Sequence, residues 1–86
     1  MSPRYRVEIA KSARKAVEKI DEPHRGRVKK AIVALADDPR PSGCKKLRGG
    51  GGYRIRVGDY RVIYDVDDGV VTVTVTDAGA RGGIYG

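Results

Sequence analysis

The chain has a single cysteine, a single histidine and no long apolar run among its 86 residues. Cys44 cannot close an internal disulfide. It lies in a polar loop with no histidine placed to activate it, so it reads as an incidental thiol rather than a nucleophile. His24 falls near the start of a helix and reads as a surface residue. No His/Cys cluster offers a metal site, and Asp65, Asp67 and Asp68 sit at a hairpin turn where solvation and turn-making account for them; no metal and no cofactor are expected. No N-terminal segment suits a signal peptide or a membrane span, which sets the expectation of a cytoplasmic protein without a membrane partner. Acidic side chains are also scarce, 11 against 18 lysines and arginines, for a net charge of +7 and a pI near 9.9. That imbalance points to a polyanionic partner.

Residues 1–86 are short enough for one domain with a modest core. The positive charge is not spread evenly. Residues 40–61 hold seven basic side chains and one acidic, whereas residues 62–86 hold one basic and four acidic. The basic segment ends in YRIRVGDYRVIY, Tyr53 to Tyr64, two alternating runs around Gly58-Asp59. A glycine at the first central position suits a type II′ hairpin, which sets Val57 opposite Tyr60 and Arg56 opposite Arg61. Cross-strand partners share a face, so Tyr53, Ile55, Val57, Tyr60, Val62 and Tyr64 form an apolar surface and Arg54, Arg56 and Arg61 converge on the other. Three guanidinium groups on one sheet face repel one another unless an anion sits between them.

Upstream, Arg4 to Ile9 alternates as a first strand and runs into a helix with Ala13, Ala16, Val17 and Ile20 inward and Ser12 as a candidate N-cap. Pro23 marks a break and opens a second helix, whose buried stripe is Val28, Ala31, Ile32 and Leu35 and whose end is expected near Asp37. Arg40 to Gly52, rich in glycine and proline, reads as an irregular surface loop carrying Lys45, Lys46 and Arg48. Its glycine run precedes a strand, so it reads as a connection rather than a phosphate loop. Downstream, Asp68-Gly69 is a second tight-turn signal, pairing Val66 with Val71, Tyr64 with Val73, Val62 with Val75 and Arg61 with Thr76, with Thr72, Thr74 and Thr76 joining the arginine face. Asp77 to Gly83 is too glycine-rich to continue regularly and predicts a bend, with Ile84-Tyr85 at most a short terminal strand. The sum is an α+β fold of order βααββββ, or βααβββ. A two-helix hairpin covers one face of a small, twisted, mainly antiparallel sheet, and the arginine face stays open.

These residues resemble the RelE branch of the RelE/ParE toxin superfamily over nearly the whole chain. The likeness rests on KKLRG (Lys45 to Gly49), YRIRVGDYRVIYDV (Tyr53 to Val66), the DDG turn (Asp67 to Gly69), the threonine- and valine-rich strand, and the closing GARGGIY (Gly79 to Tyr85). The resemblance implies a toxin of a type II toxin–antitoxin system that cleaves messenger RNA in the ribosomal A site through attack of a ribose 2′-hydroxyl on the adjacent phosphate. It implies a cognate antitoxin, the ribosome and mRNA as partners. Its catalytic positions fall on Arg54 and Arg56, where the best-known members have lysine, and on Arg61, Arg81 and Tyr85. Lys45, Lys46 and Arg48 are the expected contacts to the RNA backbone. Three departures, Ala80 where a basic residue is usual and Gly82 and Gly83 where a charged pair is usual, imply reduced activity.

Such chemistry needs a base for the hydroxyl, charge stabilisation at phosphorus and help for the leaving oxygen. A pair of histidines is the usual solution and is absent from this sequence. Tyr85 can serve if guanidinium groups lower its phenol pKa from about 10. Arg61 and Arg81 can bind the phosphate bidentately, with Arg81 stabilising the leaving group. Two readings compete: a ParE-like poison of DNA gyrase on the same fold, and a catalytically degenerate toxin that keeps only antitoxin or RNA binding.

Overall fold

In a computed structural model of the chain, the described residues are 4–47, 49 and 52–80. Strand β1 (Arg6–Ile9) leads into helix α1 (Lys11–Glu18) and helix α2 (His24–Ala34), followed by β2 (Lys45–Lys46), β3 (Tyr53–Val57), β4 (Tyr60–Asp67) and β5 (Thr72–Ala80). The five strands form one sheet in the order β1-β5-β4-β3-β2, with β1 parallel to β5 and every other pairing antiparallel. The order is βααββββ, but the strand that completes it is β2, in the stretch expected to be a loop; the expected terminal strand at Ile84-Tyr85 lies outside the described residues. Both helices pack on one face, over a core of Ala13, Val17, Ile20, Val28, Ile32, Leu35, Ile55, Val62, Tyr64, Val73, Val75 and Ala78. No helix among the described residues is long and apolar enough to cross a membrane.

The central hairpin forms in the expected register, Val57 against Tyr60 and Arg56 against Arg61. Gly58 has φ +61 and Asp59 is not in the positive-φ region, the type II′ combination. Around this hairpin several expectations need correction. Those at the helix ends come first. Helix α1 begins at Lys11 with Ala10 as N-cap; the Ala10 amide is held by the Val75 carbonyl at 2.8 Å, and its methyl side chain offers no acceptor to cap the helix. Ser12 therefore lies inside the helix. At the other end of the helical layer α2 stops at Ala34, and the chain continues to Asp37 in tight turns in which the Ala36 and Asp37 amides bond three residues back.

Another correction concerns Arg40 to Gly52. Its middle forms the edge strand β2, Lys45 opposite Arg54 and Lys46 opposite Tyr53, closed by the Leu47 amide on the Gly52 carbonyl at 2.8 Å. Gly52 has φ +87, and a Cβ there would collide with the Tyr64 carbonyl oxygen. Glycine is required at that point by both backbone and space.

The remaining corrections lie in β5 and the loop before it. No two-residue turn forms at Asp68-Gly69. Instead the Asp67 carboxylate accepts the amides of Gly69 and Val70 at 2.9 and 3.1 Å, drawing residues 68–71 into a four-residue loop closed by Asp67 opposite Thr72. Val71, expected on the apolar face, sits in that loop with φ +50. Tyr64 thus pairs with Val75 and Val66 with Val73. Further along, the strand does not end at its glycines but continues to Ala80 past a β-bulge at Thr76. The reason lies in the residues that follow. Unbroken alternation would aim Asp77 into the core; one extra residue turns Asp77 out and buries Ala78 against Val62. Arg61 is consequently opposite Gly79, not Thr76.

Candidate nucleic-acid interface

The face left open by the helices can be read row by row from the strand register. One row holds Lys45, Arg54, Ile63 and Asp77 on β2, β3, β4 and β5. The next, toward the Gly58 turn, holds Arg56, Arg61 and Gly79. Adjacent rows on one face are about 6.7 Å apart, and directly opposed side chains leave their backbones within about 5.5 Å of each other. Four of the five cations among the described residues of 45–61 thereby gather at one end of the sheet. Lys46 does not join them, since it pairs with Tyr53 and has the opposite parity. Arg56 is exposed and Arg61 half-buried. Like charges directly opposite one another are unfavourable in a sheet, and the pairing of Arg56 with Arg61 makes this end of the open face strongly cationic.

The threonines expected beside the arginines are not there. Thr72 and Thr74 belong to the far end of the same face, in rows with Asp67 and Arg6 and with Asp65 and Glu8. Thr76 is the bulge residue, its hydroxyl on the Ile63 carbonyl at 3.3 Å. Beside the arginines stand Asp77, whose carboxylate accepts its neighbour's amide at 2.8 Å, and the side-chain-free Gly79. Ile63, outward by parity, is nonetheless only 9% exposed. Arg48, Arg81 and Tyr85, with Gly82 and Gly83, lie outside the described residues; Ala80 is exposed and pairs with Tyr60, one position from Arg61.

Arg40, in sequence terms no more than the start of a loop, proves to be a structural hub. Its guanidinium grips the Asp68 carboxylate at 2.8 and 3.2 Å, donates through Nε to the Tyr53 hydroxyl at 3.0 Å and lies 5.2 Å from that ring's centroid. Asp68 also accepts the Tyr5 hydroxyl at 2.6 Å. These bonds hold the Asp68 carboxyl below the usual carboxylate range, the Arg40 contact foremost and the Tyr5 hydroxyl next. The same carboxylate pushes the Tyr5 phenol up. Tyr53 stacks on Tyr64 at 5.8 Å, and the Tyr64 hydroxyl donates to the Pro39 carbonyl at 2.8 Å. Burial raises the Tyr64 phenol well above its ordinary value. Tyr5 and Tyr64 are therefore poor bases, and their work is to pin the loop that leads into β2. No local pattern could have revealed Arg40, because its partner lies 28 residues away.

His24 is exposed but rests its ring against Tyr60 at 5.6 Å. Among the described residues no three His, Cys, Asp or Glu side chains gather closely enough to hold a metal ion. An apolar groove of about 380 Å³, lined by Ile9, Val17, Ile32 and Val33, lies on the helical side and not at the arginines.

Residues 7–81 match the family described as the ParE toxin of type II toxin–antitoxin systems, parDE, and the chain belongs to this RelE/ParE superfamily of toxins. Its place is in the RelE-like branch. The archaeal RelE in the RelE–RelB complex from Pyrococcus horikoshii OT3 is 34% identical, with 92% of this chain and 97% of that one covered and a TM-score of 0.80. The E. coli RelBE toxin–antitoxin complex gives 32% identity over 88% of this chain and 95% of that one, with a TM-score of 0.76. E. coli YafQ shares the fold at 19% identity, covering 95% and 99% with a TM-score of 0.76. None of the curated proteins matches the chain.

Proposed function

We propose that this toxin is an endoribonuclease that cleaves messenger RNA at the ribosomal A site, without a metal or cofactor, and is held inactive by a cognate antitoxin. The observation that carries the reading is the direct opposition of Arg56 and Arg61, with Arg54 and Lys45 in the adjoining row, on the sheet face that the helices leave uncovered. In this reading Arg61 grips the scissile phosphate, and Arg54 and Arg56 hold its neighbours. Tyr85 takes the proton of the attacking 2′-hydroxyl, and Arg81 stabilises the departing 5′-oxygen. The antitoxin follows from relatives solved with RelB.

The test is single-turnover cleavage of a ribosome-bound message with binding measured separately. Tyr85→Phe keeps the ring and removes only the hydroxyl, so cleavage should fall on the order of 10²–10⁴-fold with binding nearly intact. Unchanged cleavage would remove Tyr85 from the mechanism. A second reading draws on the matching family being that of ParE, in which the same basic face would serve binding of DNA gyrase alone. Growth arrest by the wild type with no message cleaved would favour it.

A further inference from the structure

The helical layer carries a cationic surface of its own, on the side of the molecule opposite the arginines. Helix α1 presents Lys11, Lys15 and Lys19 to solvent, spaced four residues apart, with Ser12 and Arg14 also exposed. Four residues advance a helix by about 6 Å and turn it through little more than one revolution, so the three ammonium groups form one axial stripe. Lys19 is the C-cap and keeps helical geometry, which extends the stripe past the last helical residue.

The stripe is not neutralised. The only carboxylate of α1, Glu18, is turned to Lys29 of α2 at 3.6 Å. The other ion pairs of the helical layer are Arg25 with Glu22 and Arg4 with Asp37. Among the described residues none involves Lys11, Lys15 or Lys19. Nor is the arrangement one that helix stability would select. Like charges at this spacing oppose helix formation, and Lys11 stands in the first turn of α1, which holds no acidic residue, against the positive end of the helix dipole.

We infer that the outer face of α1 is a second polyanion-binding surface, separate from the sheet face, and that its partner is the sugar-phosphate backbone of a structured, double-stranded nucleic acid. The apolar groove on this side takes Arg14, Val17 and Glu18 from α1 and none of the three lysines, so a protein partner, whose interface wants an apolar centre and few lysines, would seat there and not on the stripe. Backbone recognition wants what is there, evenly placed cations and a hydroxyl. The layered fold then puts one nucleic acid on each side of the chain, a single strand over the sheet and a duplex over α1. This inference needs no reacting bond and does not depend on the cleavage reading.

The test is binding of the full chain to a blunt RNA duplex by fluorescence anisotropy across a salt series. The triple variant Lys11→Gln, Lys15→Gln, Lys19→Gln keeps helix propensity close to that of lysine, and its circular dichroism and Tm should match the wild type. It should bind the duplex more weakly and flatten the dependence of log K on log salt by about 2 to 3, close to one unit for each phosphate that is no longer neutralised. The triple Lys→Arg variant should restore the slope. Arg54→Gln with Arg56→Gln should flatten the slope for single-stranded RNA more than that for the duplex, the reverse of the triple glutamine variant. Equal duplex slopes for the wild type and the triple glutamine variant would overturn the proposal. So would a triple variant that binds an acidic antitoxin segment more weakly and the duplex as well as before.

Discussion

The two ends of the open sheet face are built from the same strands and carry opposite charge. Toward the Gly58 turn stand Lys45, Arg54, Arg56 and Arg61 against the single carboxylate of Asp77; toward the loop that closes β4 onto β5 stand Asp65, Asp67 and Glu8 against the single cation Arg6, with Thr72 and Thr74 between them. Arg61 and Asp65 lie on one strand, about 13 Å apart. At the anionic end the charges have visible structural work. Asp67 caps the loop, Asp68 beside it holds Arg40 and Tyr5, and Glu8 is 3.8 Å from Arg6. At the cationic end like charges, Arg56 and Arg61, stand directly opposite one another. In the proposed function this contrast sets the path of the RNA: a single strand would follow the β2–β3–β4 end and be repelled from the β1 side.

The largest expected effect is at the cationic end. Arg61→Ala should lower single-turnover cleavage on the order of 10²–10³-fold, the usual scale for removing one charge stabiliser of a transition state. Asp65→Ala, four residues along the same strand, should leave cleavage nearly unchanged. Equal losses at both positions would dissolve the contrast. A smaller effect should follow from moving the boundary: Asp65→Lys extends the cationic patch by one row. The salt dependence of single-stranded RNA binding should steepen by about 0.7, the value of one added backbone contact. If affinity and slope stay as in the wild type, the strand does not pass near that row.

The cationic end was legible in the sequence because a two-residue turn fixes register, and register fixes parity across every rung of the hairpin. Arg54, Arg56 and Arg61 could be put on one face from Gly58-Asp59 alone. The anionic end was not legible for the same reason inverted. There the register depends on a side chain, Asp67 capping Gly69 and Val70, which lengthens the loop and shifts β5 by two residues. A shift of two preserves parity, so pattern puts Val73 and Val75 on the right face while giving each the wrong partner. The bulge at Thr76 answers to tertiary packing, because Asp77 must stay out of the core. Strand β2 gives no sequence signal because two residues carry no periodicity, and Arg40 gives none because its contacts are non-local. Of the candidate catalytic residues, the hairpin arginines could be located from pattern, whereas Arg81 and Tyr85 rest on the family likeness alone.

The smallest expected effect separates structural charge from functional charge by pH. Asp68 has its folded-state pKa held below the ordinary carboxylate value, first by Arg40 and then by the Tyr5 hydroxyl. A carboxyl whose folded pKa is depressed contributes stability that is present in full above its unfolded pKa, near 4, and is lost as pH falls through the lower folded value. Asp68→Asn should therefore melt modestly below the wild type at pH 7, and the two melting temperatures should converge as the pH is lowered below about 4. Because the Arg40 clasp secures the loop before β2, the same substitution should leave cleavage by Arg61 in place, yet loosen the edge strand that sets Lys45 against Arg54. A gap in melting temperature that is the same on both sides of the carboxylate titration would show that the Asp68 charge is not what holds the clasp. Its hydrogen-bond geometry to Arg40 and Tyr5 would then be the stabilising contact.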